Sequence, residues 1–334
     1  MNKLDLYHRL PYPVKTLAAS AWGYYLKWWR YDAQTEQRVG EILERDSWSP
    51  EKWKNWQEER LAFILNRAAK QVPYYRANWN ERRRKGDRSS WEVLANWPVL
   101  TKQVLRTHSP KEFLVEGENP KKLYAEHTSG TSGTPLVIYN SRATLQNWYA
   151  IYEARIRRWN DVSMQDRWGI LGGQLVIPQP QTKPPYWIWN QGLKQLYLSS
   201  YHIKQATTPH YLNTIKKHKL VYLLGYPSAI YSLARDGLKQ NLPIPNLKVI
   251  IANAEPLYDW QKETIEKFFQ CPIKNTYGMS ENVCAAGECP AGNLHTFPEV
   301  GITEVLQYQQ DTPVAAGETG RLICTGLLNA EFPL

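Results

Sequence analysis

The feature that most constrains this chain is an alternation between residues 168 and 278. Short apolar runs, WGILGG, LVYLLGY, LKVIIANAE and PIKNTYG, take turns with helix-patterned segments, TPHYLNTIKKHK, PSAIYSLARDGLKQ and DWQKETIEKFFQ. An apolar run without polar alternation belongs to a strand buried on both faces. Such strands, each followed by an amphipathic helix, hide both faces by lying parallel in one sheet with helices packed over it. The expected fold class is α/β, with mostly parallel sheet flanked by helices.

The first 120 residues read differently. Residues 35–80 carry helical patterning; in RLAFILNRAAKQV, Leu61, Ile64, Leu65, Ala68 and Val72 recur at helical spacing. Pro73 is expected to end that helix and PYYRANW to form a turn. A second helix-rich piece is expected over about 90–116, with Thr101 capping KQVLRTH. The chain is therefore read as one large domain, helix-rich over 1–120 and α/β over 121–334. The Pro-rich QLVIPQPQTKPPYW, 174–187, reads as a loop, and from about 295 shorter strands and turns are expected, with GETG turning before RLICTGL.

The net charge of +10 could attract nucleic acid, anionic lipid or a polyanionic substrate, or could simply solubilise the surface. No nucleic-acid-binding module accompanies the basic runs, so no nucleic-acid partner is expected. Trp and Tyr, 15 and 21 against six Phe, dominate the aromatics and suit half-wet surfaces. They concentrate in PVKTLAASAWGYYLKWWRY, 13–31, which Lys15 and Lys27 interrupt too often for a membrane span. An amphipathic helix packed on its own domain is the first expectation there, and peripheral contact with a bilayer surface the second. The start, MNKLDLYHRL, lacks the basic-then-apolar pattern of a leader, so a cytoplasmic location and free thiols are expected for the four cysteines.

Three segments carry chemistry. HTSGTSGTPL, 127–136, places Gly130 and Gly133 among the hydroxyls of Thr128, Ser129, Thr131, Ser132 and Thr134. Glycines and small alcohols of this kind can form an anion nest for a polyphosphate. They can equally form a plain turn between two strands. NTYGMSENV, 275–283, follows a strand and offers the flat ring of Tyr277, the open backbone of Gly278, the hydroxyl of Ser280 and the hard carboxylate oxygens of Glu281. A structural tyrosine followed by a surface glutamate is the plainer alternative. IANAEPL, 251–257, places Ala254, Glu255 and Pro256 after another buried strand, where small residues admit a ligand or simply turn the chain. Cys284, Cys289, His295 and Cys324 are soft donors of the type zinc takes, or else ordinary buried thiols. Neither a Ser–His–Asp set nor G-x-S-x-G is evident.

Taken in order and spacing, HTSGTSGTP and YGMSE resemble the adenylate-forming superfamily of acyl-CoA synthetases. RLAFILNRAAKQVPYYR, WPVLTKQVLR, LYLSSYHI and LLGYPSAIYSLA extend the resemblance over nearly the whole chain, toward the phenylacetate–CoA ligase branch and its CapK-like members linked to capsular polysaccharide clusters. The resemblance implies ATP-dependent activation of a small-molecule carboxylic acid to acyl-AMP, then transfer to coenzyme A. It assigns Thr128–Thr134 to the ATP β- and γ-phosphates. Ala254, Glu255 and Pro256 fall at the adenine border, Tyr277 and Gly278 against the base, Ser280 at the α-phosphate and Glu281 on Mg²⁺. His202, Gly225, Tyr226 and Pro227 fall on the acyl side. Two alternatives remain open: a non-catalytic or assembly protein of surface-polysaccharide production, and acyl transfer to an amine or hydroxyl.

The sequence departs from the family in three places. Leu136 and Val137 stand where many members have a lysine. The Arg-Tyr and Gly-Asp pairs that follow FPL in the family are not present, and neither is the small C-terminal domain with its mobile lysine. A piece of a longer enzyme, weak or inactive by itself, is the expectation.

Overall fold

The computed structural model describes residues 3–128 and 135–334. Among them are ten α-helices: α1 (Lys3–Arg9), α2 (Tyr12–Arg30), α3 (Thr35–Glu44), α4 (Pro50–Gln71), α5 (Pro73–Arg84), α6 (Lys102–Thr107), α7 (Arg142–Ile151), α8 (Thr208–Lys217), α9 (Pro227–Lys239) and α10 (Asp259–Phe269). The twelve strands are β1 (Tyr124–His127), β2 (Val137–Asn140), β3 (Trp168–Gly172), β4 (Trp187–Asn190), β5 (Gln195–Ser199), β6 (Tyr222–Gly225), β7 (Val249–Ala252), β8 (Ile273–Gly278), β9 (Ala285–Glu288), β10 (Leu294–Thr296), β11 (Gly301–Leu306) and β12 (Arg321–Gly326). The chain divides into two compact units. The first comprises Met1–Val39, Tyr152–Tyr277 and Ala286–His295; the second comprises Gly40–Ile151, Gly278–Ala285 and Thr296–Leu334. The change near residue 120 seen in the sequence is one of element content, whereas these units follow compactness.

The first unit is built on an eight-stranded sheet in the order β10-β9-β8-β7-β6-β3-β5-β4. From β8 to β5 the neighbours are parallel, and β4 closes the edge antiparallel to β5. Every residue of β6 and β7 is buried, which is why both read as unbroken apolar runs. Leu171, Leu196, Leu223 and Ile250 of the sheet meet Tyr211, Ile230, Leu233 and Phe268 of the covering helices in one core. Close approach is enforced at Gly237 of α9, where a Cβ would lie 2.3 Å from the Phe268 ring of α10.

A buried charge cluster braces the same unit. One π-helical turn, Tyr152–Arg157, buries Glu153 completely. Its carboxylate accepts from Arg157 at 3.0 Å, from Arg158 Nε at 2.9 Å and from the Met164 N–H at 3.0 Å. Arg157 Nε in turn donates to the Tyr222 hydroxyl at 2.8 Å, tying the turn to β6.

In the second unit α4 is capped by Ser49, whose hydroxyl accepts from the Lys52 N–H. Arg60 and Arg67 of α4 donate to the Leu327 and Ala330 carbonyls at 2.7 and 2.8 Å, and Tyr75 donates to the Pro333 carbonyl at 3.0 Å. Phe113, Leu136, Ile138 and Phe332 form the core they enclose. Two antiparallel pairs, β1–β2 and β11–β12, complete the unit.

Two expectations are corrected. PYYRANW is no turn: Pro73 stands at the first position of α5, where its fixed φ suits a helix start and its missing N–H costs nothing. The piece over 90–116 is not helix-rich. It contains only α6, six residues long and capped by Thr101 at 3.4 Å, with short 3-10 turns on either side.

Glu153→Ala removes the carboxylate partner of buried Arg157, whereas Arg158, 34% exposed, keeps Glu36. We expect a loss of about 3–5 kcal/mol in urea unfolding, against under about 1 kcal/mol for loss of the exposed Lys54–Glu58 pair.

Candidate functional site

In the first unit the candidate residues gather where the parallel strands end. Register pairs Gly172 with Ser199, Leu171 with Gly225, Gly225 with Ala252, and Ala252 with Asn275, so β5, β3, β6, β7 and β8 finish along one edge. Beyond that edge lie His202, Tyr226 and Pro227, the turn Asn253–Pro256, and Tyr277. The carboxyl edge of an open parallel sheet is where such folds hold ligands, because the loops splay apart there.

Small residues set this edge. A Cβ on Gly225 would lie 2.3 Å from the Leu171 carbonyl oxygen. Its absence lets the Tyr226 N–H reach that oxygen at 2.9 Å, and the Asn253 N–H reaches the Gly225 carbonyl at 3.1 Å. Ala254, exposed, has φ +64°. That left-handed backbone costs a residue with a side chain about 1–3 kcal/mol and concentrates at functional turns. Glu255 accepts the Ser228 N–H at 3.1 Å, so its carboxylate caps the start of α9. Thr276 donates to the Ala252 carbonyl at 2.6 Å and fixes the end of β8. The Tyr277 ring then stands 44% exposed at the edge.

His202, expected on the acyl side from the resemblance, is buried and its Nδ1 lies 2.7 Å from the Ser199 hydroxyl. Its ring stacks on Tyr186, with centroids 5.1 Å apart, and Nε2 has no hydrogen-bond partner among the described residues. A buried imidazole nitrogen in that condition can meet a ligand's polar group.

The second unit carries the other candidates. Glu281 and Ser280 occupy the middle of a tight turn closed by the Asn282 N–H on the Met279 carbonyl at 3.1 Å. Asn282 takes φ +53°, a conformation asparagine tolerates, and the Glu281 side chain is 13% exposed. Glu281 Oε1 lies 3.8 Å from Lys102 Nζ, the first residue of α6. The lysine is largely exposed, so this single contact is weak and leaves the carboxylate available as a hard oxygen donor. Lys102 was not singled out in the sequence, because its contact with Glu281 joins residues far apart in the chain.

Ser129, Gly130, Thr131, Ser132, Gly133 and Thr134 lie outside the described residues. Thr128 lies within them. Its N–H donates to the Leu136 carbonyl, and its hydroxyl accepts the Leu136 N–H, both at 3.0 Å, so β1 and β2 are pinned on either side of residues 129–134.

The cysteine and histidine set is not drawn together. Among the described residues no group of three or more His, Cys, Asp or Glu is placed to hold a metal ion. Cys284 and Cys324 pair as thiols instead. Cys324 donating to Cys284, with Thr303 also donating to its sulfur at 3.5 Å, holds the Cys284 thiol down at about 6 and pushes Cys324 well up. Cys289 lies in a turn closed on Asn293, and His295 sits edge-on to Trp159.

Comparison with known proteins identifies the family of the chain. The family model described as AMP-binding enzyme matches residues 54–331. The chain is 26% identical to protein CapK of Staphylococcus aureus over 83% of its own length and 60% of CapK. It is 25% identical to the phenylacetate-coenzyme A ligase of Escherichia coli K12, over 83% of this chain and 64% of the ligase. The chain thus spans less than two thirds of the relatives it matches. Among solved structures, 2-hydroxyisobutyryl-CoA ligase in the postadenylation state aligns with a TM-score of 0.60 at 18% identity, over 83% of this chain and 60% of that one. The same ligase with 2-HIB-AMP and CoA in the thioesterification state aligns with a TM-score of 0.61 at 17% identity, over 86% and 62%. At such identities the likeness is one of fold.

Two glycines separate packing from function. Gly225→Val should lower stability by about 1–3 kcal/mol in urea unfolding, because its side chain meets backbone. Gly278→Ala meets nothing within 4 Å and should leave the midpoint unchanged.

Proposed function

Because the chain belongs to the AMP-binding enzyme family, we propose that it takes part in ATP-dependent activation of a carboxylic acid to an acyl-adenylate, followed by transfer to coenzyme A. The observation that carries this proposal is the row of loops along the carboxyl edge of β5, β3, β6, β7 and β8, which collects the acyl-side and adenine-side candidates on five neighbouring strands. The named activities of the phenylacetate-coenzyme A ligases support an acid as substrate and coenzyme A as acceptor.

The substrate carboxylate attacks the α-phosphorus of ATP, and pyrophosphate leaves. No side-chain nucleophile is needed, so the protein's task is positioning and charge neutralisation. Tyr277 offers its exposed ring to the adenine, bordered by the backbone of Ala254–Pro256. The Glu255 side chain is committed to α9, so its contribution is to hold that border in place. Ser280 meets the α-phosphate, and Thr128 with Ser129–Thr134 takes the β- and γ-phosphates. Glu281 would hold Mg²⁺, which when bound neutralises the phosphate charge. A largely buried carboxylate whose ion pair is with one exposed lysine at 3.8 Å supports that role by its hard oxygens. Buried His202 lines the acyl side with Gly225, Tyr226 and Pro227.

Exchange of labelled pyrophosphate into ATP, run over a panel of carboxylic acids, tests this. Glu281→Ala should reduce exchange at least about 100-fold, a loss typical of removing one electrostatic contact in the transition state. Tyr277→Phe should keep the KM for ATP, and Tyr277→Ala should raise it about tenfold, since stacking on one base is worth roughly 1–3 kcal/mol. Full exchange in Glu281→Ala would refute the metal role.

A further inference from the structure

The second unit holds two thiols that acid activation does not use, Cys284 just after the Ser280–Glu281 turn and Cys324 in β12. Strand register brings them together. Cys324 stands directly opposite Thr303 in the antiparallel β11–β12 pair, so their side chains share one face of the ribbon. The chain at Val283 and Cys284 crosses the end of that ribbon. It lies so close that a Cβ on Gly301 would be 2.0 Å from the Val283 carbonyl oxygen, and one on Gly326 3.0 Å from Val283 Cγ1. Gly301 and Gly326 are paired in register, and their lack of side chains admits the crossing segment. The Thr303 hydroxyl then donates to Cys284 Sγ at 3.5 Å, and the Cys324 thiol donates to the same sulfur. Side chains from three segments thus meet at one sulfur.

The other two cysteines, Cys271 and Cys289, belong to the first unit. Cys271 is packed in the core, and burial pushes its thiol up to about 12, so it stays inert. Cys284 is the opposite case. The hydrogen bond from Cys324, helped by that from Thr303, holds it down at about 6. At neutral pH it is a thiolate, the nucleophilic form. Cys284 itself is buried and Cys324 partly exposed, so a small oxidant meets the pair from the Cys324 side. A stabilised thiolate with a second thiol already in contact has the two parts of a redox pair, an attacking sulfur and a resolving one.

We propose that Cys284 and Cys324 form a redox modification site, which hydrogen peroxide converts to a disulfide. The Cys284 thiolate attacks one peroxide oxygen, the O–O bond breaks, hydroxide leaves, and a sulfenic acid forms. The Cys324 sulfur attacks the sulfenic sulfur, the S–O bond breaks, and the Cys324 proton leaves with the oxygen as water. The hydroxide takes up the proton that Cys284 had released. Two thiols and one peroxide therefore give one disulfide and two waters, the sulfurs losing two electrons and the peroxide gaining them. The Cys284 carbonyl accepts the Met279 N–H at 3.3 Å, so the new bond anchors the base of the Ser280–Glu281 turn to β12. The step requires nothing of the nucleotide reading.

Peroxide treatment of the 334-residue chain, alkylation of the remaining thiols in urea, and non-reducing peptide mapping by mass spectrometry test this. A cross-linked peptide joining Cys284 to Cys324 and lost on dithiothreitol is expected, with Cys271 and Cys289 recovered alkylated. Cys324→Ser should leave Cys284 as a sulfenic acid that dimedone traps. Cys284→Ser should slow oxidation of Cys324 at least about tenfold, because the remaining thiol is largely protonated. Thr303→Val keeps both thiols and removes one donor, so it should slow the cross-link, which covers the case of a cysteine variant that does not fold. Recovery of Cys284 and Cys324 alkylated, a cross-link from Cys284 to another cysteine, or oxidation of Cys284 beyond the sulfenic acid with Cys324 present overturns the proposal.

Discussion

The candidate site depends on how closely β3, β6 and β7 approach one another at their carboxyl ends. Gly225 has no side chain, so the Tyr226 N–H can reach the Leu171 carbonyl across the strand pair, and the Asn253 N–H can reach the Gly225 carbonyl from the other side. These two hydrogen bonds aim the loops after β6 and β7 along the same edge. Pro227 then starts α9, and Glu255, delivered by the β7 loop, caps it. Neighbouring loops therefore hold each other, and the left-handed backbone of Ala254 persists because both of its flanks are fixed.

Stability and function draw on different parts of the first unit. The packing that makes the sheet rigid lies beneath it and at its far end, in the Gly237–Phe268 contact and the buried Glu153 cluster. The residues proposed for ATP and acid lie at strand ends and on loops, Ala254 and Tyr277 exposed, His202, Gly225 and Pro227 buried. A rigid scaffold with adaptable loops is the arrangement expected of a site that must grip ligands of changing charge.

Much of this was legible in the sequence, and the failures have physical reasons. The α/β class followed from the unbroken apolar runs at 221–225 and 249–252, which only a doubly covered strand explains. The strand ends near Ala254 and Tyr277 were legible in the strand-like segments that carry them, whereas Tyr226 came only from the family resemblance. Pro73 misled because proline ends one helix and starts the next with equal ease. The helical reading of 90–116 failed because capping by Thr101 secures only a short helix when no apolar face continues it. The attachment of Glu255 to Ser228 and the contact of Lys102 with Glu281 join residues far apart in the chain, and no local pattern encodes them. Cys284 pairs with Cys324, a residue distant in the chain that cysteine spacing does not single out.

The central proposal is that the loops along the carboxyl edge of the first unit receive a nucleotide. Hydrogen–deuterium exchange with and without Mg²⁺·ATP tests it most directly. Slowed exchange in peptides covering 225–228, 252–257 and 276–282 is the predicted result. Protection that spares all three segments, at an ATP concentration shown to saturate binding, would contradict it.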